Sequence, residues 1–248
     1  MPLGIDLFCG LGGWTEGLLS EGYDVVGFDN ERHVYGAQHY PAQLVLQDVL
    51  TLHGSQFRNA ALIVASPPCQ AYSYRAMPWK RAKALPPPSN ELFDACFRIQ
   101  REASEAAGRH IPMVVENVKG AQPWVGRAAW HYGSFYLWGD VPALMPFSRA
   151  AKVPGLNWSG SDKPGYKAQA FNDTAIKQHG SGAAWFDKAL HERRKAIGQK
   201  CRGDWFNGYH PGQGRANNYS RSSARKAASA QIAKIPFELA RWIAYCYR

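Results

Sequence analysis

Over the first 140 residues, short apolar runs alternate with amphipathic stretches, the pattern of strands followed by helices in an α/β chain. Gly4 to Phe8 reads as a first strand, Gly10 to Gly13 as a tight turn and Trp14 to Glu21 as a helix. Tyr23 to Phe28 forms a second strand ending at Asp29, and a short third strand is expected from Val45 to Leu50 around Asp48, with Leu44 to Gln47 as the alternative for its core. The apolar run Ala61-Leu62-Ile63-Val64-Ala65 predicts a buried fourth strand over Leu62–Ala65, Glu91 to Ala107 an amphipathic helix, and Met113 to Glu116 a fifth strand. From about Val153 the periodicity fades into Gly, Ser, Asn and Lys with crowded turn signals. Trp158, Trp185, Phe186, Trp205, Phe206 and Tyr209 are too many aromatics for a disordered linker, so a small loop-rich module is expected there. Ser222 to Tyr247 returns to a helical period, with Pro236 at a helix start and Leu239, Ile243 and Tyr247 on one face.

Composition narrows the class. The chain has 248 residues, 46% of them hydrophobic, enough for one large α/β domain with a small insertion. No apolar run approaches the ~20 residues of a membrane span, and no signal-peptide pattern follows Met1, so a cytoplasmic protein without membrane contact is expected. Cys9, Cys69, Cys96, Cys201 and Cys246 are odd in number and widely spaced. That fits neither a disulfide framework nor a metal site, and it suits a reducing compartment. The net charge of +10 is unevenly spread: residues 149–234 hold 16 Lys/Arg against 5 Asp/Glu, and the rest of the chain is close to neutral. Concentrated positive charge favours a phosphate-binding face over a merely solvated surface.

Candidate chemistry falls at the predicted strand ends, where open α/β sheets collect ligands. Ser66-Pro67-Pro68-Cys69-Gln70 follows the fourth strand, and its paired prolines stiffen the loop that aims the Cys69 thiol. Asp6-Leu7-Phe8-Cys9-Gly10-Leu11-Gly12-Gly13 is a glycine-rich strand-to-helix turn that lets backbone approach a ligand. Asp29 can accept hydrogen bonds from both ribose hydroxyls of a nucleoside, or else it caps the following segment. Asp48 suits an exocyclic adenine amine, or else it is a turn residue. The turn lacks a dinucleotide phosphate fingerprint, so the site reads as one for an adenosine without a pyrophosphate, which points to S-adenosylmethionine.

Together with Val114-Val115-Glu116-Asn117-Val118, and in this order, these segments resemble the cytosine-C5 DNA methyltransferases over roughly residues 3–140 and the C-terminal helix. The resemblance implies a doubly wound, Rossmann-like class I methyltransferase sheet with a small loop-rich target-recognition module. The expected division is a cofactor-binding and catalytic domain over 1–150, a recognition module over 151–220, and a C-terminal helix over 221–248 that packs back on the first domain. It further implies that Phe8, Gly10, Leu11 and Gly12 line S-adenosylmethionine, with Asp29 and Asp48 on its adenosine. Cys69 is then the nucleophile and Glu116 the acid at cytosine N3, while Asn117 holds the loop. Gln70, Ser73, Arg75, Arg215 and Arg221 are the candidate nucleic-acid contacts. The implied partner is double-stranded DNA, bound by a monomer of bacterial or phage type, with restriction–modification as the expected setting.

Two departures from the family's pattern stand out. Gln231-Ile232-Ala233-Lys234-Ile235-Pro236 resembles the closing motif that folds back beside the first strand, but it lacks the usual Gly-Asn pair. The family usually also carries a Gln-x-Arg-x-Arg strand, one arginine of which helps hold the cytosine. The corresponding stretch here is Tyr132-Gly133-Ser134-Phe135-Tyr136-Leu137-Trp138, without arginine, so the substitute is Arg127 or an arginine of the basic module such as Arg215. Two alternatives to a DNA enzyme remain: the same chemistry on transfer RNA, and an inactive DNA-binding relative.

Overall fold

The computed structural model describes residues 1–75, 80–145, 230, 231 and 233–248. The strands are β1 (Leu3–Leu7), β2 (Asp24–Asp29), β3 (Gln43–Leu46), β4 (Ala60–Ala65), β5 (Met113–Asn117), β6 (Trp130–Tyr132) and β7 (Phe135–Gly139). The helices are α1 (Gly13–Ser20), α2 (Gln70–Arg75), α3 (Lys80–Lys83), α4 (Glu91–Ala107), α5 (Gln122–Val125) and α6 (Phe237–Cys246). The strands form one seven-stranded sheet in the order β3-β2-β1-β4-β5-β7-β6. β1 to β5 run parallel, and β7 lies antiparallel to both β5 and β6. This is the α/β, Rossmann-like sheet that the residue pattern predicts.

The central strands are apolar on both faces because both faces are covered. Ile63 and Ala65 of β4 join Ile5, Leu7, Met113 and Val115 in a cluster with Phe93, Cys96, Ile99 and Ala103 of α4. Leu62 and Val64 point the other way, into a cluster with Trp14 and Leu18 of α1 and Leu239 and Ile243 of α6. α4 has the predicted bounds, Glu91–Ala107, because Gly108 stops it in the left-handed conformation at φ 64°. α1 and α6 cross closely: a Cβ on Gly17 would overlap the backbone of Ala240 and Arg241. Residues Met1–Ala150 and Lys234–Arg248 form one compact unit, and Ala151–Ala233 form another that lies almost wholly outside the described residues.

Two expectations need adjustment. β3 spans Gln43–Leu46, near the alternative core Leu44–Gln47 and not Val45–Leu50, and the chain turns at Asp48, whose Oδ1 accepts from the Leu50 N–H at 2.9 Å and starts a 3-10 turn. That side-chain bond offers the backbone an alternative to continuing the strand. Pro236 stands at a helix start as expected, capping α6 from Phe237, but the helical period is interrupted before it at Lys234–Pro236. The closing segment returns to the start of α1: a Cβ on Gly13 would lie 2.5 Å from Ile235 N, and Lys234 Nζ pairs with Glu16 Oε1 at 2.5 Å. No helix among the described residues is long and apolar enough to cross a membrane.

Candidate active site

The parallel strands β1, β2, β4 and β5 deliver their C-terminal ends to one edge of the sheet, and the sequence-predicted residues arrive there with them. After β1 the backbone turns sharply. Phe8 adopts φ 58°, a left-handed value rare outside glycine, and Gly10 and Gly12 follow at 51° and 76°. The turn is tied to β2 by the Cys9 N–H, which donates to Phe28 O at 3.2 Å. It is also tied by the Gly10 N–H, which donates to Asp29 Oδ2 at 2.9 Å. Leu11 is buried beneath it, and a Cβ on Gly10 would meet open space, so that side of the turn is accessible to a ligand.

Asp29 is buried, yet its carboxyl lies below the ordinary aspartate range. Burial pushes it up, but hydrogen bonds from His33 and from the Gly10 and Glu31 N–H groups outweigh that push. The carboxylate is therefore ionised at neutral pH while retaining lone pairs for further donors. Asp48 lies one residue beyond Gln47, whose N–H donates to Asp29 O at 2.9 Å, so the two acids neighbour each other along the edge. The exposed Asp48 uses Oδ1 as a cap and has no described partner on Oδ2.

Beneath the turn lies a group that the motif reading passed over. Asp6 is 1% exposed, and Thr15 Oγ1 donates to its Oδ2 at 2.6 Å. Tyr40 OH lies 2.7 Å from Thr15 Oγ1 and donates in turn, since the threonine proton is already engaged. Burial lifts the Asp6 carboxyl to about 7, and Oδ1 has no hydrogen-bond partner among the described residues. An acid inside the otherwise apolar strand Leu3-Gly4-Ile5-Asp6-Leu7 was the available sequence signal. Its threonine and tyrosine partners come together only in the fold.

The second half of the edge carries the thiol. Ser66 leaves β4 with its N–H donating to Leu7 O at 3.1 Å, and its hydroxyl accepts from Trp14 Nε1 at 3.0 Å. The loop is clasped to β5 because Asn117 Nδ2 donates to Pro67 O at 3.0 Å, while Asn117 Oδ1 accepts from the Val118 N–H at 2.8 Å. Both halves of the Asn117 amide are thus occupied with backbone, the role expected for a loop-holding residue. Glu116, 8% exposed, has its carboxyl lifted by burial to about 8 against a hydrogen bond from Ser66. Cys69 has its thiol raised mainly by burial, with a Ser73 hydrogen bond opposing and the Glu116 charge adding to the rise. Cys69 and Glu116 therefore share one electrostatic environment.

The nucleic-acid candidates divide. Gln70 opens α2 as an exposed residue, and Ser73, one turn on, donates its N–H to Cys69 O at 2.9 Å. The backbone of Arg75 lies at the end of α2, and Arg215 and Arg221 lie outside the described residues. A cleft of about 390 Å³ opens beside the pair, lined by Ser73, Val118, Lys119, Gly120, Tyr136 and the Gly133–Ser134 turn. The β6–β7 hairpin in this wall has a register that sets Leu137 opposite Glu116 and Tyr136 opposite Asn117.

A mostly parallel α/β sheet thus gathers a glycine turn, an ionised strand-end acid, a thiol and a buried glutamate along one edge. Residues 4–123 match the family model described as C-5 cytosine-specific DNA methylase, the family that the order of the motifs resembles. That family uses S-adenosylmethionine as its methyl donor. No curated protein matches the chain. Among solved structures, a putative DNA modification methyltransferase encoded within an E. coli prophage is similar at 24% identity and TM-score 0.36, covering 51% of this chain and 35% of that one. The S. pombe Dnmt2 methyltransferase is similar at 18% identity and TM-score 0.34, covering 49% and 36%. The Entamoeba histolytica methyltransferase EhMeth is similar at 17% identity and TM-score 0.36, covering 51% and 41%. The chain thus spans between a third and two fifths of the length of these solved relatives.

Proposed function

We propose that the protein methylates C5 of cytosine in double-stranded DNA through a transient bond between Cys69 and C6 of a flipped-out base. The observation that carries this reading is the pairing of the Cys69 thiol with a Glu116 carboxyl that holds its proton up to about pH 8.

The residues present fit the donor. S-adenosylmethionine carries an ammonium, two ribose hydroxyls and a methyl group on a sulfonium. The unpartnered Asp6 Oδ1 suits the ammonium, and Asp29, ionised and retaining lone pairs, suits the ribose. Phe8, Gly10, Leu11 and Gly12 form the wall, and Asp48 takes the adenine amine. When bound, the donor supplies an electrophilic methyl group.

The remaining work falls to the side chains. Cytosine C5 is a weak nucleophile, so the Cys69 sulfur, having released its proton, adds to C6 and turns the ring into an enamine. Negative charge then develops toward N3, where the Glu116 O–H donates its proton. After C5 has gained its methyl group, the C5 proton leaves to solvent, the C6–S bond breaks with its electron pair returning to sulfur, and Glu116 recovers its proton from N3. The base must leave the stack for this to happen, and the reading gives its capture to Gln70, Ser73 and Arg75 and the flanking phosphates to Arg215 and Arg221.

Bisulfite sequencing of DNA and of transfer RNA from cells expressing the protein or its Cys69→Ala variant tests the reading. Converted-resistant cytosines in DNA, absent with the variant, are the expected result. Resistance confined to transfer RNA moves the polymer, and none in either sinks the assignment.

A further inference from the structure

The cleft lined by Ser73 and Val118 adjoins Cys69 and Glu116. Ser73 hydrogen-bonds Cys69, and Val118 follows directly on Glu116 and Asn117. At about 390 Å³ it is of the size that encloses small ligands. Among the described residues its walls are the Val118 side chain, the Ser73 and Ser134 hydroxyls, glycine backbone, the Tyr136 ring and one cation, Lys119. One face of Tyr136 is covered by His131, with ring centroids 4.9 Å apart and planes at 17°, which fixes the tyrosine in the wall. β7 itself reads Phe-Tyr-Leu-Trp-Gly and brings no charge.

A nucleotide whose base reaches Cys69 and Glu116 leaves its phosphate outside them, and a cation lining the adjoining cleft can meet that phosphate. Lys119 is exposed, opens the short 3-10 turn Lys119–Ala121, and makes no ion pair with any described residue. Arg127, the described alternative, is exposed but does not line the cleft. We infer that Lys119 grips the phosphate of the target nucleotide at this cleft, with Tyr136 as the wall beside the sugar and base. An ammonium on a flexible four-carbon stem suits a phosphate as a point charge, without the planar geometry that an arginine would impose. This assignment rests on the proposed cytosine transfer. It gives the missing cation to the segment after β5, not to the strand opposite it.

The test uses the full chain, S-adenosylmethionine and short duplexes of randomised sequence in which every cytosine is 5-fluorocytosine. Fluorine cannot leave as a proton would, so the Cys69 bond to the base is trapped and counted on a denaturing gel. In Lys119→Ala, the duplex concentration for half-maximal trapping should rise about tenfold, with the limiting rate held within about twofold, the pattern of lost binding. The slope of the logarithm of that affinity against the logarithm of salt should fall by about 0.9. Lys119→Arg should restore both. A Lys119→Ala variant that titrates like wild type, or an Arg127→Ala variant that shows the loss instead, overturns the assignment and leaves the covalent reading intact. Wild type that traps neither duplex nor fluorinated transfer RNA overturns both.

Discussion

Asp29 and Glu116 stand at the ends of two parallel strands on one edge of the sheet, each only 8% exposed, and they hold opposite charge states at neutral pH. Asp29 is met by two backbone N–H groups and His33, and it stays ionised below the usual aspartate range. Glu116 is met by one hydroxyl, from Ser66, and burial lifts it to about 8. Burial raises both carboxyls, and the hydrogen bonds that oppose it, several at Asp29 and one at Glu116, set which one keeps its proton. On the proposed reading the anion holds the hydroxyls of the donor molecule, and the neutral acid delivers a proton to the base. The two halves also differ in construction: the turn after β1 is shaped by backbone, while the Cys69 loop is held by the Asn117 side chain.

The largest expected effect belongs to the thiol. Cys69→Ala should lower tritium transfer from labelled S-adenosylmethionine to DNA by about three orders of magnitude or more, with donor affinity unchanged. Substantial residual turnover would remove the covalent step. The amide exchanges separate the two acids. Asp29→Asn should raise the calorimetric Kd for S-adenosylmethionine about 10- to 100-fold, the loss of a charge-assisted hydrogen bond. Glu116→Gln should leave that Kd alone and reduce turnover. If both variants weaken donor binding equally, the division of labour between the halves is wrong.

A smaller effect lies in pH. Unfolded Glu116 titrates near its ordinary 4.5 and the folded residue near 8, so the folded state holds a proton that the unfolded state releases between those values. The stability this group contributes is complete below about 4.5 and is lost as pH rises through about 8. Glu116→Gln is free of that loss. Its melting temperature should gain on wild type by several degrees from pH 5 to pH 8, each 1 kcal/mol corresponding to about 2–4 °C for a domain of this size. Asp6, lifted to about 7 in the same sense, is present in both proteins and cancels in the difference. A flat difference across that range contradicts the protonated glutamate. The smallest effect is structural: Asn117→Ala should cost about 1–3 kcal/mol in urea unfolding through the unsatisfied Pro67 carbonyl.

Much of the edge was legible because strand ends are written in apolar runs. Ala61-Leu62-Ile63-Val64-Ala65 locates Cys69, and Met113 to Glu116 locates the acid, since a strand buried on both faces leaves little freedom in where it stops. α4 was legible to the residue through Gly108. Asp48 hid the end of β3 because a capping side chain and a strand compete for the same backbone. The β6–β7 hairpin was legible only as a stretch lacking arginine, since Trp130 to Trp138 is aromatic on both faces and its register is set by pairing with β5. Asp6, Thr15 and Tyr40 belong to three separate elements, and their network exists only once those elements meet.

The crossing of α6 over α1 at Gly17 has a consequence in time. Tyr23 OH donates to Ala244 O across 221 positions, and Arg241 Nε donates to Glu21 Oε1 across 220. A ribosome must therefore make more than 200 residues after Trp14 and Leu18 before these two receive their cover from Leu239 and Ile243. Until then α1 alone of the two helices covers that side of the sheet, and the apolar surface meant for α6 stays exposed. Chains arrested before residue 234 should be cut by protease throughout the first 65 residues, and chains released at full length should resist.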